Sequence, residues 1–198
     1  MNIFEKGKFF FKNNPSLLFF STLILVYCVL NYGTLALSAI CEPPNIYWEF
    51  GDKFLNYPKW IRNSMMYTVS FITNLLGYKT FIASAIKISV IDGKSVVVAY
   101  ECTGYGVMSV WSAFTIAFPE ENKKRRLKWI FGGLLVIWFI NVLRILALLL
   151  AVNQGKKVDI NQFGEHHDVF NAISYSLIII MIYFYTKSSS KKPQKTKQ

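Results

Sequence analysis

Trp129–Val152 reads WIFGGLLVIWFINVLRILALLLAV. At a rise of about 1.5 Å per residue, this run is long enough to cross a hydrocarbon layer of about 30 Å as a helix. It holds one charge, Arg144, and one side-chain amide, Asn141. A guanidinium buried in such a span costs several kcal/mol unless it meets a partner or a water-filled cavity, so it marks a functional site by default. The segment therefore sets the fold class, a membrane protein, and raises the question of what Arg144 faces.

The rest of the chain agrees. Hydrophobic residues make up 53% of the 198 and aromatics 17%, yet Lys and Arg (22) outnumber Asp and Glu (11). The basic residues lie between and after apolar runs, which fits basic loops of a polytopic membrane protein and not a nucleic-acid binder. There is room for a single domain over 1–186, followed by a polar, basic and disordered cytoplasmic tail over 187–198. Cys28, Cys41 and Cys102 form an odd set without paired spacing, so neither a disulfide framework nor a zinc site is expected. No removable signal peptide is expected either. The first apolar run is too long, and Ile40 spoils a lipoprotein-type cleavage site before Cys41.

The sequence predicts an all-α polytopic membrane protein with about four transmembrane helices, an outer interfacial helix and a small external β-hairpin. The spans are 16–40, 103–118, 129–152 and 169–186. Lys6, Lys8 and Lys12 precede the first, Lys123–Lys128 separates the second from the third, and Lys187–Lys197 follows the last. The positive-inside rule puts all three clusters, and both termini, in the cytoplasm. Residues 41–102 and 153–168 are then external. Trp60–Tyr78 is helical in pattern, but one more crossing would carry Lys123–Lys128 outside. Its stripe of Ile61, Met65, Val69, Ile72 and Leu76 suits an amphipathic helix on the outer surface, with a helical hairpin inside the membrane as the competing reading. In Ile86–Glu101, β-branched residues flank Asp92-Gly93, a strong hairpin signal.

Three groups carry chemistry. Cys102 follows the hairpin and opens a membrane helix at the outer interface, where unpaired amide N–H groups favour a thiolate. Thr103, or Cys102 itself, caps that helix, and Gly104 and Gly106 leave room for something to approach the backbone. Arg144 is about 22 Å above Trp129 by helical rise, in the outer third of the bilayer, with Asn141 one turn below on the same face. Snorkelling to the outer headgroups is the competing reading for Arg144. His167 stands at the external start of the last span, next to His166, with Asp168 or Glu165 placed to orient it. A histidine there can act as a general base for a thiol. Adjacent histidines on a helix point about 100° apart, and no third ligand is evident, so no metal or other cofactor is expected. Topology drawn only from lysine positions thus brings a nucleophile, a cation for an oxyanion and a proton acceptor to one depth, the parts of cysteine acyl transfer.

At these residues the chain resembles the exosortase/archaeosortase family of membrane-embedded sorting enzymes. The matching pieces are Ala99-Tyr100-Glu101-Cys102-Thr103-Gly104, Asn141-Val142-Leu143-Arg144-Ile145, and His167 before an apolar final span, in an order covering roughly Trp60–Tyr185. Where the family often has a glycine four residues after its histidine, Asn171 stands here, and His166 is an alternative base. The resemblance implies a cysteine transpeptidase of the cell membrane with its active site on the extracytoplasmic side. Its partners would be exported proteins carrying a carboxy-terminal motif, transmembrane helix and basic tail, with a membrane lipid or other acceptor. The implied roles are Cys102 as nucleophile, Arg144 as oxyanion donor supported by Asn141, and His167 as base. Two rivals remain at this point: a plain protease using water as acceptor, and a non-enzymatic membrane assembly or transport subunit in which Arg144 contacts a partner helix.

Overall fold

The structure, a computed structural model, describes residues 14–41, 47–119, 122–154 and 162–189, and the side chains there except at 101 and 162–171. In chain order the elements are α1 (Pro15–Cys41), a short α2 (Glu49–Phe54), α3 (Tyr57–Leu75), strands β1 (Thr80–Ser84), β2 (Lys87–Val90) and β3 (Ser95–Val97), a 3-10 turn (Tyr100–Thr103), α4 (Tyr105–Ala117), α5 (Lys123–Asn153) and α6 (Gln162–Ser189). The apolar run Trp129–Val152 lies in the central helix, α5. It starts ahead of the apolar stretch because Asn122 caps it, its side chain accepting from the Arg125 amide at 3.3 Å. The lysines and arginines that follow are good helix formers.

Cross-contacts fix how the helices run. The Trp111 indole donates to the Trp129 carbonyl at 3.1 Å, while Gly104 lies against Asn141, so α4 descends as α5 rises. Met181 packs at Gly133, and the Tyr185 and Trp129 rings are 5.5 Å apart, so α6 descends as well. The Phe19 and Phe114 rings, 5.9 Å apart, bring the start of α1 to the same end. That end gathers the start of α1, the α4–α5 connection and the close of α6. Lys6, Lys8, Lys12 and the tail beyond Ser189 lie outside the described residues, and Lys187 belongs to α6.

Among the described residues two helices are long and apolar enough to cross a membrane, Pro15–Cys41 and Lys123–Asn153. The span expected over 103–118 is shorter than that. Helix α4 begins at Tyr105 and, at its length, rises only about 20 Å against a hydrocarbon layer of about 30 Å. Helix α3 packs alongside it and α5. Ile61 shares an apolar pocket of about 360 Å³ with Leu134, Leu135 and Trp138, and the Trp138 indole donates to the Ser64 hydroxyl at 2.9 Å. Helix α3 is therefore a wall of the bundle, not a helix lying apart on its outer surface. Its inward face is Pro58, Arg62, Met65, Met66, Val69 and Thr73; Trp60, Tyr67, Phe71 and Leu75 point outward, exposed.

The expected hairpin is β2–β3, turning at Asp92, which takes φ 58°. It is widened by β1, which the sequence reading missed, into an antiparallel sheet of order β1-β2-β3. Thr80 ties the sheet to α3 through hydroxyl contacts with Ser70 (2.9 Å) and Thr73 (3.0 Å). The Asn153 amide ties it to the end of α5, accepting from the Lys94 N–H at 2.7 Å and donating to its carbonyl at 3.2 Å. The sheet thus closes the end of the bundle opposite the basic one. Between apolar helices in lipid the hydrophobic driving force is small, so close packing and such hydrogen bonds carry the association.

Candidate active site

Strand β3 hands the chain to buried Val98, and the backbone then tightens. The Cys102 N–H donates to the Ala99 carbonyl at 3.0 Å and the Thr103 hydroxyl to the Tyr100 carbonyl at 2.5 Å. Gly104 follows with φ 73° and ψ 22°, and α4 begins. A side chain here would be strained twice. The backbone is left-handed, and an added Cβ would lie 2.4 Å from the Asn141 Nδ2. The expectation that Thr103 or Cys102 caps the helix is corrected. The N-cap is Gly104, with no side-chain cap bond, and the Thr103 hydroxyl is spent inside the turn. The partial positive charge of an uncapped helix start therefore lies just beyond Cys102.

Cys102 is a free, buried thiol in the same apolar cluster as Val142 and Ile145. The turn thus sits against α5 at the level of Asn141–Ile145. Asn141 is 3% exposed, and its amide donates to the Ile137 carbonyl at 2.8 Å. Its amide also stands where a Cβ at Gly104 would lie, so Asn141 packs directly against the Cys102 turn. Arg144 is 5% exposed. That burial removes the snorkelling alternative. Counting along α5, Arg144 lies about 13 Å and Asn141 about 18 Å below Asn153 by helical rise. Both residues therefore lie below the level of the sheet, which is tied to Asn153.

His166, His167, Asp168 and Glu165 belong to the first turns of α6, but their side chains lie outside the described residues, as does that of Glu101. Several groups near the turn were not singled out beforehand. Tyr105 donates its hydroxyl to the Pro58 carbonyl, pinning the start of α4 to α3, and the Tyr100 hydroxyl donates to the Asn31 carbonyl of α1 at 3.4 Å. Arg62 is buried at 6% exposure on the inner face of α3. Its signal was present in the spacing Pro58, Arg62, Met65 and Met66, Val69, Thr73, a stripe that shares Met65 and Val69 with the one starting at Ile61.

The pattern of the transmembrane exosortase family matches residues 16–184. The chain belongs to the exosortase family. The matched region takes in Cys102, Asn141, Arg144 and His167. No curated protein and no solved structure matches the chain. Exosortase membership makes it a membrane protein and points to protein sorting by transpeptidation.

Proposed function

We propose that this exosortase is a cysteine transpeptidase that cleaves the carboxy-terminal sorting signal of exported proteins and passes the acyl group to a membrane lipid or other nucleophilic acceptor. The observation that carries the reading is the seating of the Cys102 turn on the stretch of α5 bearing Asn141 and Arg144, all buried below the end of the bundle. In the reaction the Cys102 Sγ attacks the scissile carbonyl carbon while its proton passes to the His167 imidazole. The Arg144 guanidinium stabilises the oxyanion, a contribution of about 3–4 kcal/mol for such donors. Collapse breaks the C–N bond, His167 returns the proton to the leaving amine, and a thioester remains. An acceptor hydroxyl or amine then loses its proton to His167, attacks the thioester and releases the thiol.

Helical rise supports the placement of the base. His167 stands about 21 Å above Met181 along α6, and Arg144 about 16 Å above Gly133, the residue Met181 packs on. The two fall within about one turn of each other in height. Burial of the site favours transfer over hydrolysis, because water competes poorly for a thioester in a dry pocket. We take four spans, with both termini cytoplasmic and the sheet on the extracytoplasmic side, as the matching topology.

The test is co-expression with a protein bearing a carboxy-terminal motif, transmembrane helix and basic tail. Cys102→Ala is expected to accumulate in the membrane and leave the substrate uncut. Full processing by that variant would end the enzyme reading. Mass spectrometry of the product's new carboxy terminus separates the chemistries: added mass means transfer, a free acid means hydrolysis. Of His166→Ala and His167→Ala, the second is expected to abolish processing and the first to spare it.

A further inference from the structure

A cleft of about 580 Å³ opens beside the Cys102 turn, between α1, α4 and α6. Its size falls within the range of roughly 300–1,000 Å³ for ligand sites. Tyr27 and Asn31 line it from α1, Tyr175 from α6, and Tyr100, Gly104 and Gly106 form its inner end. Gly104 and Tyr100 flank Cys102 in sequence, so the cleft leads to the candidate nucleophile from the side. Tyr175 is 59% exposed, so the mouth opens laterally, on the surface a bilayer would cover, and not through the sheet.

Asn31 is the informative residue. It is half-buried in the middle of an apolar helix, and among the described residues its side-chain amide makes no hydrogen bond. In lipid an unsatisfied amide is costly, and polar groups within spans mark substrate paths. An amide presents a donor and an acceptor together, matching the N–H and C=O of a peptide group, whereas the ester groups of a phospholipid only accept. The floor is bare as well. At Gly106 an added Cβ would meet nothing nearer than the Asn31 Oδ1 at 3.8 Å, so a main chain can approach there.

We propose that this cleft holds the unwound first turn of the substrate's transmembrane helix, its peptide groups satisfied by Asn31, Tyr27 and Tyr175. The inference rests on the transpeptidase reading and assigns the substrate's docking face. A helix must unwind for one of its peptide bonds to be attacked, and its first turn already lacks partners for its N–H groups. A polar ring at the depth of a buried thiol meets that need, and lateral opening lets the substrate helix arrive without leaving the bilayer.

The experiment uses the full-length membrane protein with a co-expressed, epitope-tagged substrate. A benzoylphenylalanine photocrosslinker replaces Tyr27, Tyr175 or, as a control, Leu25, which lies on the opposite face of α1 and is 65% exposed. All three are made in a Cys102→Ala background. Substrate adducts at Tyr27 and Tyr175 but not Leu25, mapping to the start of the substrate's transmembrane helix, are expected. Lipid adducts alone, or equal capture at Leu25, would overturn the assignment. In the intact enzyme, Asn31→Leu and Gly106→Leu are expected to slow processing at least tenfold while membrane accumulation and melting temperature in detergent stay those of the parent chain. Wild-type processing by both variants would overturn it too. Failure of these tests while Cys102→Ala stays inactive removes only this inference, whereas an active Cys102→Ala removes the parent reading.

Discussion

At Gly104 two constraints coincide, a left-handed backbone (φ 73°) and the Asn141 amide where a Cβ would stand. The first costs an ordinary L-residue about 1–2 kcal/mol, and the second forces the turn or α5 to shift. Gly104→Ala is therefore expected to lower the melting temperature in detergent and to abolish processing. Adding Asn141→Ala removes the obstruction but not the backbone cost, so the double variant should melt above Gly104→Ala and below the parent chain. A Gly104→Ala protein that melts like the parent would mean the turn is built differently. Arg144→Lys probes the neighbouring position. It keeps the charge but loses the planar fork, and turnover should fall about 10²–10³-fold as when an oxyanion donor is lost, measured as substrate processed per enzyme. Both Arg144 and Cys102 were legible in the sequence because each stands out against its surroundings. Arg62 was not, because a polar residue on a presumed surface helix needs no explanation.

At the level of elements, α2 and α3 meet through a polar knot. Asp52 accepts from the Lys59 ammonium at 2.8 Å and from the Asn56 amide at 2.8 Å, while the Asn56 side chain caps α3 by accepting from the Lys59 N–H at 3.1 Å. The Lys59 bond, ahead of the partial burial that opposes it, holds the Asp52 carboxyl below its ordinary range. A carboxylate more acidic in the folded state adds stability at pH values above its unfolded pKa of about 3.9, and that stability is lost as pH falls through the lower folded value. Hydrogen exchange over 49–59 should accordingly be flat from pH 7 to about 5 once corrected for intrinsic rates, and rise below about 4. Asp52→Asn should exchange faster throughout, without the acid step. Elements were unequally legible for related reasons. Asp92-Gly93 announced its hairpin through turn chemistry alone, whereas β1 has meaning only once β2 and Thr80's partners on α3 exist. The start of α4 was placed two residues early because nothing in the residue types at Thr103-Gly104 forbids a helix, and only the positive φ of Gly104 delays it.

On the scale of the whole molecule, a short α4, a recessed turn and a sheet across one end are a single arrangement. Because α4 begins at mid-height, the Cys102 turn packs against α5 below the sheet, where Cys102 and Arg144 are both buried. Lysine positions bear on which loops share a side but not on this depth, because charge at loop ends says nothing about where a helix starts inside the bundle. Depth and sidedness are tested together by thiol labelling in intact cells. Lys94→Cys, exposed beside the hairpin turn, and Lys124→Cys, exposed at the start of α5, are each placed in a chain lacking its own cysteines. A membrane-impermeant maleimide is expected to label position 94 directly and position 124 only after permeabilisation. Cys102, restored alone, should react slowly with a charged methanethiosulfonate and faster with a small neutral reagent, since a charged reagent must shed its hydration to reach a buried thiol. Reversed labelling at 94 and 124 would turn the bundle over and put the recessed thiol on the cytoplasmic side, where no exported substrate presents its cleavage site.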